Sequence, residues 1–416
     1  MTYKTAFRPA DILLPKCVDM TKWSVVACDQ YTSEPEYWQK VDALVGDAPS
    51  SLRLILPEIY LGREDTPQRI EKINQTIREY LAAGLFEEHK NAMIYVERVQ
   101  SDGRIRRGII GAVDLEEYDY RPGSCSQVRA TEATVVERIP PRLEIRKDAE
   151  IELPHIMILI DDPGNSVIEP FAQKSLRPLY GFELMAGGGS IKGFLLDGED
   201  IANVDSALGE LKKKSEMLFA MGDGNHSLAT AKEHYEKLKR DNPGEDMSNH
   251  PARWALCEIV NLHSEALEFE AIHRIVKVGD IEKFKTEMSE SLGLSGVPSE
   301  QRVRVHRGET VRDLYIHRPA SKLAVGSVQA FLDGYLKENG GDIDYVHGED
   351  VLKKLATEDG AIGFEFDPMK KEDLFPAVIA DGALPRKTLS MGHAADKRYY
   401  LEARGIISGA AVRRQE

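Results

Sequence analysis

The chain has 416 residues, with 54 basic and 69 acidic side chains, so its formal net charge is −15. Apolar residues make up 42% of it, enough for a large core, and its length suits two or three domains of roughly 100–200 residues each. The acidic balance argues against nucleic-acid binding, which draws affinity from Lys and Arg neutralising phosphates, and no apolar run approaches the length that spans a bilayer.

The N-terminus, Met-Thr-Tyr-Lys-Thr-Ala-Phe-Arg-Pro, lacks the apolar core of a secretory signal. Cys17, Cys28, Cys125 and Cys257 lie far apart with no Cys-x-x-Cys pair. That pattern fits reduced thiols in a cytoplasmic protein rather than a disulfide framework or a zinc site. Neither a fixed-period repeat nor a low-complexity tract is present. The expectation is a cytoplasmic α/β enzyme.

In chain order, Trp23–Asp29 reads as a buried strand ending in a polar residue, followed by helical phrases at Glu36–Val45 and Pro49–Leu56. The spacing predicts a helix over Pro67–Ala83, with Thr66 as N-cap and Pro67 at the first helical position. Ile70, Ile73, Ile77, Tyr80 and Leu81 share one face, and Gly84 closes the end. Ala92–Val99, the Ser101-Asp-Gly103 turn and Ile105–Val113 predict a hairpin. The near-continuous apolar run Ile156–Ile160 suits a strand covered on both faces.

Ala202–Lys214 reads as a helix, Glu216–Met221 as a strand and Ser227–Arg240 as a helix. The segment 241–250 reads as a surface loop, and Trp254–Leu262 as another buried strand. Past about residue 275, short strands (Arg302–His306, Asp313–His317, Ala361–Phe366) alternate with helices (Ile281–Leu292, Val328–Glu338, Glu349–Thr357). The fold class expected is mixed α/β, with a catalytic region over 1–270 and a smaller α/β domain over 271–416.

The densest chemistry lies at Met221-Gly-Asp-Gly-Asn-His-Ser-Leu-Ala-Thr-Ala231. An apolar strand runs into Gly222, Asp223 and Gly224, and a helix begins at once. Helix N-termini present free N–H groups and partial positive charge, so Gly222, Gly224, Asn225 and Ser227 are candidate phosphate contacts. Asp223 offers a carboxylate for Mg²⁺ or for a hydroxyl proton, and His226 an imidazole for proton transfer. The plainer reading is a turn with Asp223 or Ser227 capping a helix. It is not a Walker loop, because no Gly-Lys-Ser/Thr follows.

Three further clusters carry charge. Arg129-Ala-Thr-Glu-Ala-Thr134 offers Arg129, Glu132 and Thr134, which suit phosphate oxygens and a substrate hydroxyl; a solvated mixed-charge strand is the alternative. Leu384-Pro-Arg-Lys-Thr388 places Arg386, Lys387 and Thr388 in an otherwise acidic chain, as a phosphate contact or an irregular basic loop. Ala186-Gly-Gly-Gly-Ser-Ile-Lys-Gly193 reads as a mobile loop, with a phosphate cradle as alternative.

Taken together, Phe7-Arg-Pro9, Asp29-Gln-Tyr-Thr32, Asn225-His226, His347-Gly-Glu-Asp350 and Leu384-Pro-Arg-Lys-Thr388 resemble the family catalogued as domain of unknown function 1015, over almost the full length. More distantly, Asp-Gly-x-His at a strand-to-helix junction is similar to the ParB/sulfiredoxin-like fold, which includes partition proteins and free-serine kinases. In those kinases the junction cradles nucleotide phosphates and an acidic residue elsewhere activates the hydroxyl. The resemblance implies phosphate binding at Asp223, Gly224 and His226, with Glu132 and Thr134 retained from a His-Glu-His-Thr phrase. Thr131 and Ala133 replace its two histidines, and Ser227 stands where the commoner phrase carries Arg. Phosphate binding then falls to Arg129, Arg386 or Lys387.

The function expected is phosphoryl transfer or phosphate-ester hydrolysis on a small hydroxylated metabolite, with serine or phosphoserine leading and a nucleotide and Mg²⁺ as cofactors. Glu132, Asp223 and His226 are the expected catalytic residues. The alternative is a nucleotide-binding regulator related to partition proteins, without turnover. Metal-assisted hydrolysis ranks below both, because no His-Glu-x-x-His spacing exists.

Overall fold

The computed structural model describes residues 4–407. It is a mixed α/β protein built on two large sheets and a two-stranded ribbon. The larger sheet runs, in spatial order, Tyr118–Asp119, Val128–Arg129, Phe219–Asp223, Met157–Ile160, Trp254–Asn261, Ile105–Asp114, Phe86–Val99, Ser190–Leu196 and Arg177–Glu183. Phe7–Arg8 and Ala10–Pro15 pair with Ile105–Asp114 and Phe86–Val99 respectively. The smaller sheet orders Thr310–Ile316, Gln301–Arg307, Ala361–Glu365, Phe269–Lys277 and Asp342–His347, with Leu389–Met391 also on Phe269–Lys277. Among the described residues, no helix is long and apolar enough to cross a membrane.

Met157–Ile160 is buried at every position, as an apolar run flanked by two strands should be. The hairpin forms in register, Ile94 opposite Ile110 and Val99 opposite Ile105. The helix Thr66–Ala82 buries Ile73 and Ile77, and Ile70, Tyr80 and Leu81 pack beside them. Its N-cap is Asp65 rather than Thr66, whose hydroxyl donates instead to the Tyr60 carbonyl.

Other expectations are corrected. Trp23–Asp29 is not a strand: Trp23 ends a short helix, and only Val26 bridges Tyr399. Burial there comes from packing, not from sheet pairing. Pro49–Leu56 holds a single 3-10 turn, Ser51–Arg53. The triple-glycine segment forms the connection between the paired strands Arg177–Glu183 and Ser190–Leu196, so Ser190–Gly193, expected in the loop, lie in the second strand. Strands that local pattern did not mark include Ala10–Pro15, Arg177–Glu183, Ser190–Leu196, Phe269–Lys277 and Asp342–His347.

The chain also returns. After the smaller sheet, residues 395–406 lie back against the larger one. Ala403 bridges Leu13, Tyr399 bridges Val26, and Arg404 pairs opposite Glu152. The buried guanidinium of Arg98 donates to the carbonyls of Ala395, Lys397 and Gly188, and Arg106 donates to the Asp396 carbonyl. Asp396 in turn accepts from the Ser101 N–H and hydroxyl. Further along, buried Arg398 donates to Glu402 at 2.6 Å and lies 3.3 Å from Glu258.

Arg398→Met keeps bulk but leaves Glu402 and Glu258 short of a partner. Breaking a buried pair from one side costs about 3–5 kcal/mol. Urea denaturation should show a loss of that size, with the slope of the transition unchanged.

Candidate functional site

The site grows from a local geometric necessity. Phe219–Asp223 pairs with Met157–Ile160, but the register slips between Met221 and Asp223, so Gly222 is an extra residue bulged from the ladder. Gly224 follows with φ of 76°, in the left-handed region. A Cβ there would meet the Ile156 Cα at 3.0 Å, so only glycine fits without strain. This sharp turn starts the helix Asn225–Asp241 with no side chain capping it. The Asp223 carboxylate instead accepts from the N–H of Gly224 at 3.0 Å. The capping alternative for Asp223 and Ser227 is therefore not what forms.

Two distant segments meet this turn. Thr131 donates its hydroxyl to the Met221 carbonyl, and the Asn225 amide donates to the Glu132 carbonyl at 3.3 Å and the Thr134 hydroxyl at 3.2 Å. Glu132 is joined to the late basic loop: it bridges Leu384, and its carboxylate accepts the N–H groups of Lys387 and Thr388, both at 3.3 Å. Burial pushes the Glu132 carboxyl above the ordinary range, against the pull of those two N–H donors and of Arg274. Lys387 has φ of 59°, and Arg274 donates to the carbonyls of Arg386 and Lys387, which holds the loop in this shape.

A third segment was not legible in the sequence. Lys397, on the returning chain, places its ammonium 3.5 Å from Asp223. Lys397 also acts on Asp29: burial pushes the Asp29 carboxyl up, but His155, the Gln30 amide and Lys397 together hold it below the ordinary range. His155 is buried beneath the helix start. Its Nε2 lies 3.3 Å from the Ser227 hydroxyl and 3.7 Å from Asp29, and its Nδ1 lies 2.7 Å from the Tyr400 hydroxyl. The Tyr400 oxygen also accepts the Cys28 N–H. Nearby, burial pushes the Cys28 thiol far up, which favours the neutral thiol.

His226 has its Nε2 buried without a hydrogen-bond partner, as has Asn225 its Oδ1. Burial, with Arg142 and Arg138 nearby, pulls the His226 imidazole down to about 4. That places it in its neutral form at pH 7.

The structure thus brings together Glu132, Thr134, Asp223, Asn225, Lys387 and Thr388, through bonds to one another or to the turn. Other candidates face elsewhere. Arg386 donates to the Tyr345 hydroxyl of the smaller sheet, and Arg129, buried, donates to the Ser126 carbonyl. Asp29, His155, Lys397 and Tyr400 were missed as site residues. Asp29-Gln-Tyr-Thr32 was a signal on the page; nothing local marks the other three.

The donor set does not form a dedicated metal cage. Among the described residues, no group of three or more His, Cys, Asp or Glu side chains could hold an ion. Asp223 is engaged by Gly224 and Lys397.

An extra glycine and a left-handed glycine feed an uncapped helix within a mixed α/β sheet, so the first helical N–H groups lack a side-chain cap. The chain belongs to the family described as protein of unknown function (DUF1015), whose model matches residues 12–335. No curated protein sequence matches it. Among solved structures it is similar to a conserved hypothetical protein from Pyrococcus furiosus, at 12% identity over 70% of this chain and 94% of that chain, with a TM-score of 0.37. It is also similar to a free serine kinase in complex with AMP (11% identity, 70% and 90% covered, TM-score 0.38). SbnI with a C-terminal truncation, from Staphylococcus aureus, matches at 9% identity, 74% and 90% covered, with a TM-score of 0.35. Likeness at this level leaves the chemistry to be read from this chain's own residues.

His226 and buried His234 both have native values pulled down to about 4 by burial first and nearby arginines second. An unfolded chain titrates histidine near 6.5. Between these values the unfolded state binds more protons, so stability rises with pH. Their contribution is whole above about pH 6.5 and is lost as pH falls towards about 4. Urea midpoints measured across that window should fall with acid, and His226→Gln should flatten the fall.

Proposed function

We propose that the protein transfers or hydrolyses phosphoryl groups on a small hydroxylated metabolite, with serine or phosphoserine the leading substrate and a nucleotide as donor. The observation that carries this reading is the meeting of Glu132 with the start of the Asn225–Asp241 helix, through the Asn225 amide. It ties the main chain of Glu132 to the helix start, while the Glu132 carboxyl, of raised proton affinity, is held by the Lys387 and Thr388 N–H groups of the late basic loop.

The division of labour follows from charge. Phosphoryl transfer needs charge neutralisation and alignment more than covalent chemistry. The helix start and the ammonium groups of Lys397 and Lys387 would face phosphate oxygens. Glu132 would accept the proton as the substrate hydroxyl attacks phosphorus and the bond to the leaving nucleotide breaks. With water in place of the hydroxyl, the same groups would hydrolyse a phosphate ester. Asp223 would orient Lys397 and the acceptor, and neutral His226 would donate to or accept from the substrate without adding charge. Within this proposal, the core around the junction is of the ParB/sulfiredoxin type. The catalytic unit is the larger sheet with the returning segment 395–406, and the smaller unit supplies the Arg-Lys-Thr loop.

The test is phosphate release from phosphoserine, and ATP- or ADP-dependent phosphorylation of serine, each with Mg²⁺ and with EDTA. Asp223→Asn keeps size and removes charge, and should cost at least about 10²-fold in rate, as losing an oriented charged group does. Glu132→Gln should lower the rate similarly and abolish the rise in rate as pH passes upward through the Glu132 value. A folded protein that binds nucleotide but turns over neither substrate would overturn the enzyme reading in favour of a nucleotide-binding regulator.

A further inference from the structure

Directly behind the junction lies a cavity of about 160 Å³, whose polar end is formed by Ser227, His155 and Tyr400. Its body is apolar: Leu56 and Ile77 line it together with Ile73, Ile145 and Ile156. An apolar cavity of about 150 Å³ accepts a benzene-sized molecule. This volume therefore suits a ligand of about six to nine non-hydrogen atoms. Serine is small enough, but its side chain is polar and gains nothing from these walls.

The charged cluster at the cavity wall and just behind it is unbalanced. Arg142 and Arg146 both line the cavity, as do Glu58 and Glu152. Arg142 is paired with Glu58. Glu152, however, is shared: Arg146 contacts it at 2.6 Å and Arg404 at 2.9 Å. Counting Arg404, which touches Glu152 from outside the cavity, three guanidinium groups share two carboxylates in a largely buried setting. The Nε of Arg146 is buried and has no hydrogen-bond partner, although buried donors are almost always satisfied. One acceptor carrying one negative charge would meet both deficits.

We infer that this cavity is a binding site for a small, mostly apolar monoanion, a branched or aromatic carboxylate whose acid group pairs with Arg146. The apolar body lies against Leu56, Ile73 and Ile77. Any hydroxyl it carries reaches the Ser227–His155 end, which adjoins the junction. The inference stands on the cavity and its charge, not on phosphoryl transfer, and its test reads binding alone.

The full chain is titrated by calorimetry and by ligand-observed NMR with benzoate and 4-methylpentanoate. Their neutral counterparts, benzyl alcohol and 4-methylpentanol, and the polar controls acetate and serine are run beside them. Both apolar acids should bind at millimolar or better, and the alcohols and the controls at least about tenfold more weakly, since a charge-assisted bond contributes that much. Arg146→Met keeps bulk and should weaken the acids at least about tenfold while leaving the alcohols unchanged. Ile77→Phe fills the cavity and should weaken acids and alcohols together. Circular dichroism and a urea midpoint establish that each variant is folded, and Arg146→Lys, which keeps the charge, should recover part of the binding if Arg146→Met fails to fold. Equal affinity for acids and alcohols, acid binding unmoved by Arg146→Met or Ile77→Phe, or no binding up to about 10 mM would each overturn the inference.

Discussion

The buried guanidinium of Arg398, held between Glu402 and Glu258, is the interaction on which the site's assembly depends. Three charged groups inside a protein are expensive to desolvate, and they are retained only where geometry and further hydrogen bonds compensate. Here the compensation is extensive. Glu402 also accepts the Tyr180 hydroxyl, and Arg398 also donates to the Pro154 carbonyl. What the arrangement secures is position. With Arg398 and Glu402 fixed against the sheet, Lys397 falls beside Asp223 and Tyr400 beside His155. Arg98, Arg106 and Ser101 hold the start of the same segment from the hairpin side.

The turn at 222–224 plays the complementary part. The bulge at Gly222 and the left-handed Gly224 end the strand and start the helix within three residues. That abruptness leaves the first helical N–H groups uncapped and draws Asn225 to the Glu132 segment. The late basic loop is then oriented by backbone rather than by side-chain charge. The N–H groups of Lys387 and Thr388 grip Glu132, and the Arg274 guanidinium grips the carbonyls of the same loop. Removal of any one clamp would move chemistry on a different segment.

The site and the cavity behind it divide two kinds of recognition. The junction offers charge and hydrogen-bond donors at a partly open surface. The cavity offers apolar walls and one unmatched guanidinium. His155 and Ser227 belong to both, since they form one lip of the cavity and sit at the helix start. A molecule engaging both would be read at its polar and its apolar ends by one pair of residues.

Much of this was legible in local pattern. The paired runs around Ser101-Asp-Gly103 determined a hairpin, because alternation and turn chemistry act within a dozen residues. The apolar run at 156–160 determined a central strand, and Gly-Asp-Gly before a helical stripe determined the junction. The stretch 23–29 misled because burial alone does not distinguish a strand from a packed irregular segment. Lys397, His155 and Tyr400 carried no local signal. Their roles arise because residues 395–406 return to the first sheet from far along the chain, a path set by buried ion pairs such as Arg398–Glu258 and Arg404–Glu152 that no sequence window contains. Side-chain direction was equally hidden: Arg386 and Arg129 looked equivalent to Lys387 as phosphate ligands, yet a tertiary contact turns Arg386 to Tyr345 and a local one turns Arg129 back to the Ser126 carbonyl. Sequence determined which elements form, since helix and strand periods are short-range properties. The fold alone decided which charges meet, because a buried charge goes wherever a partner can neutralise it.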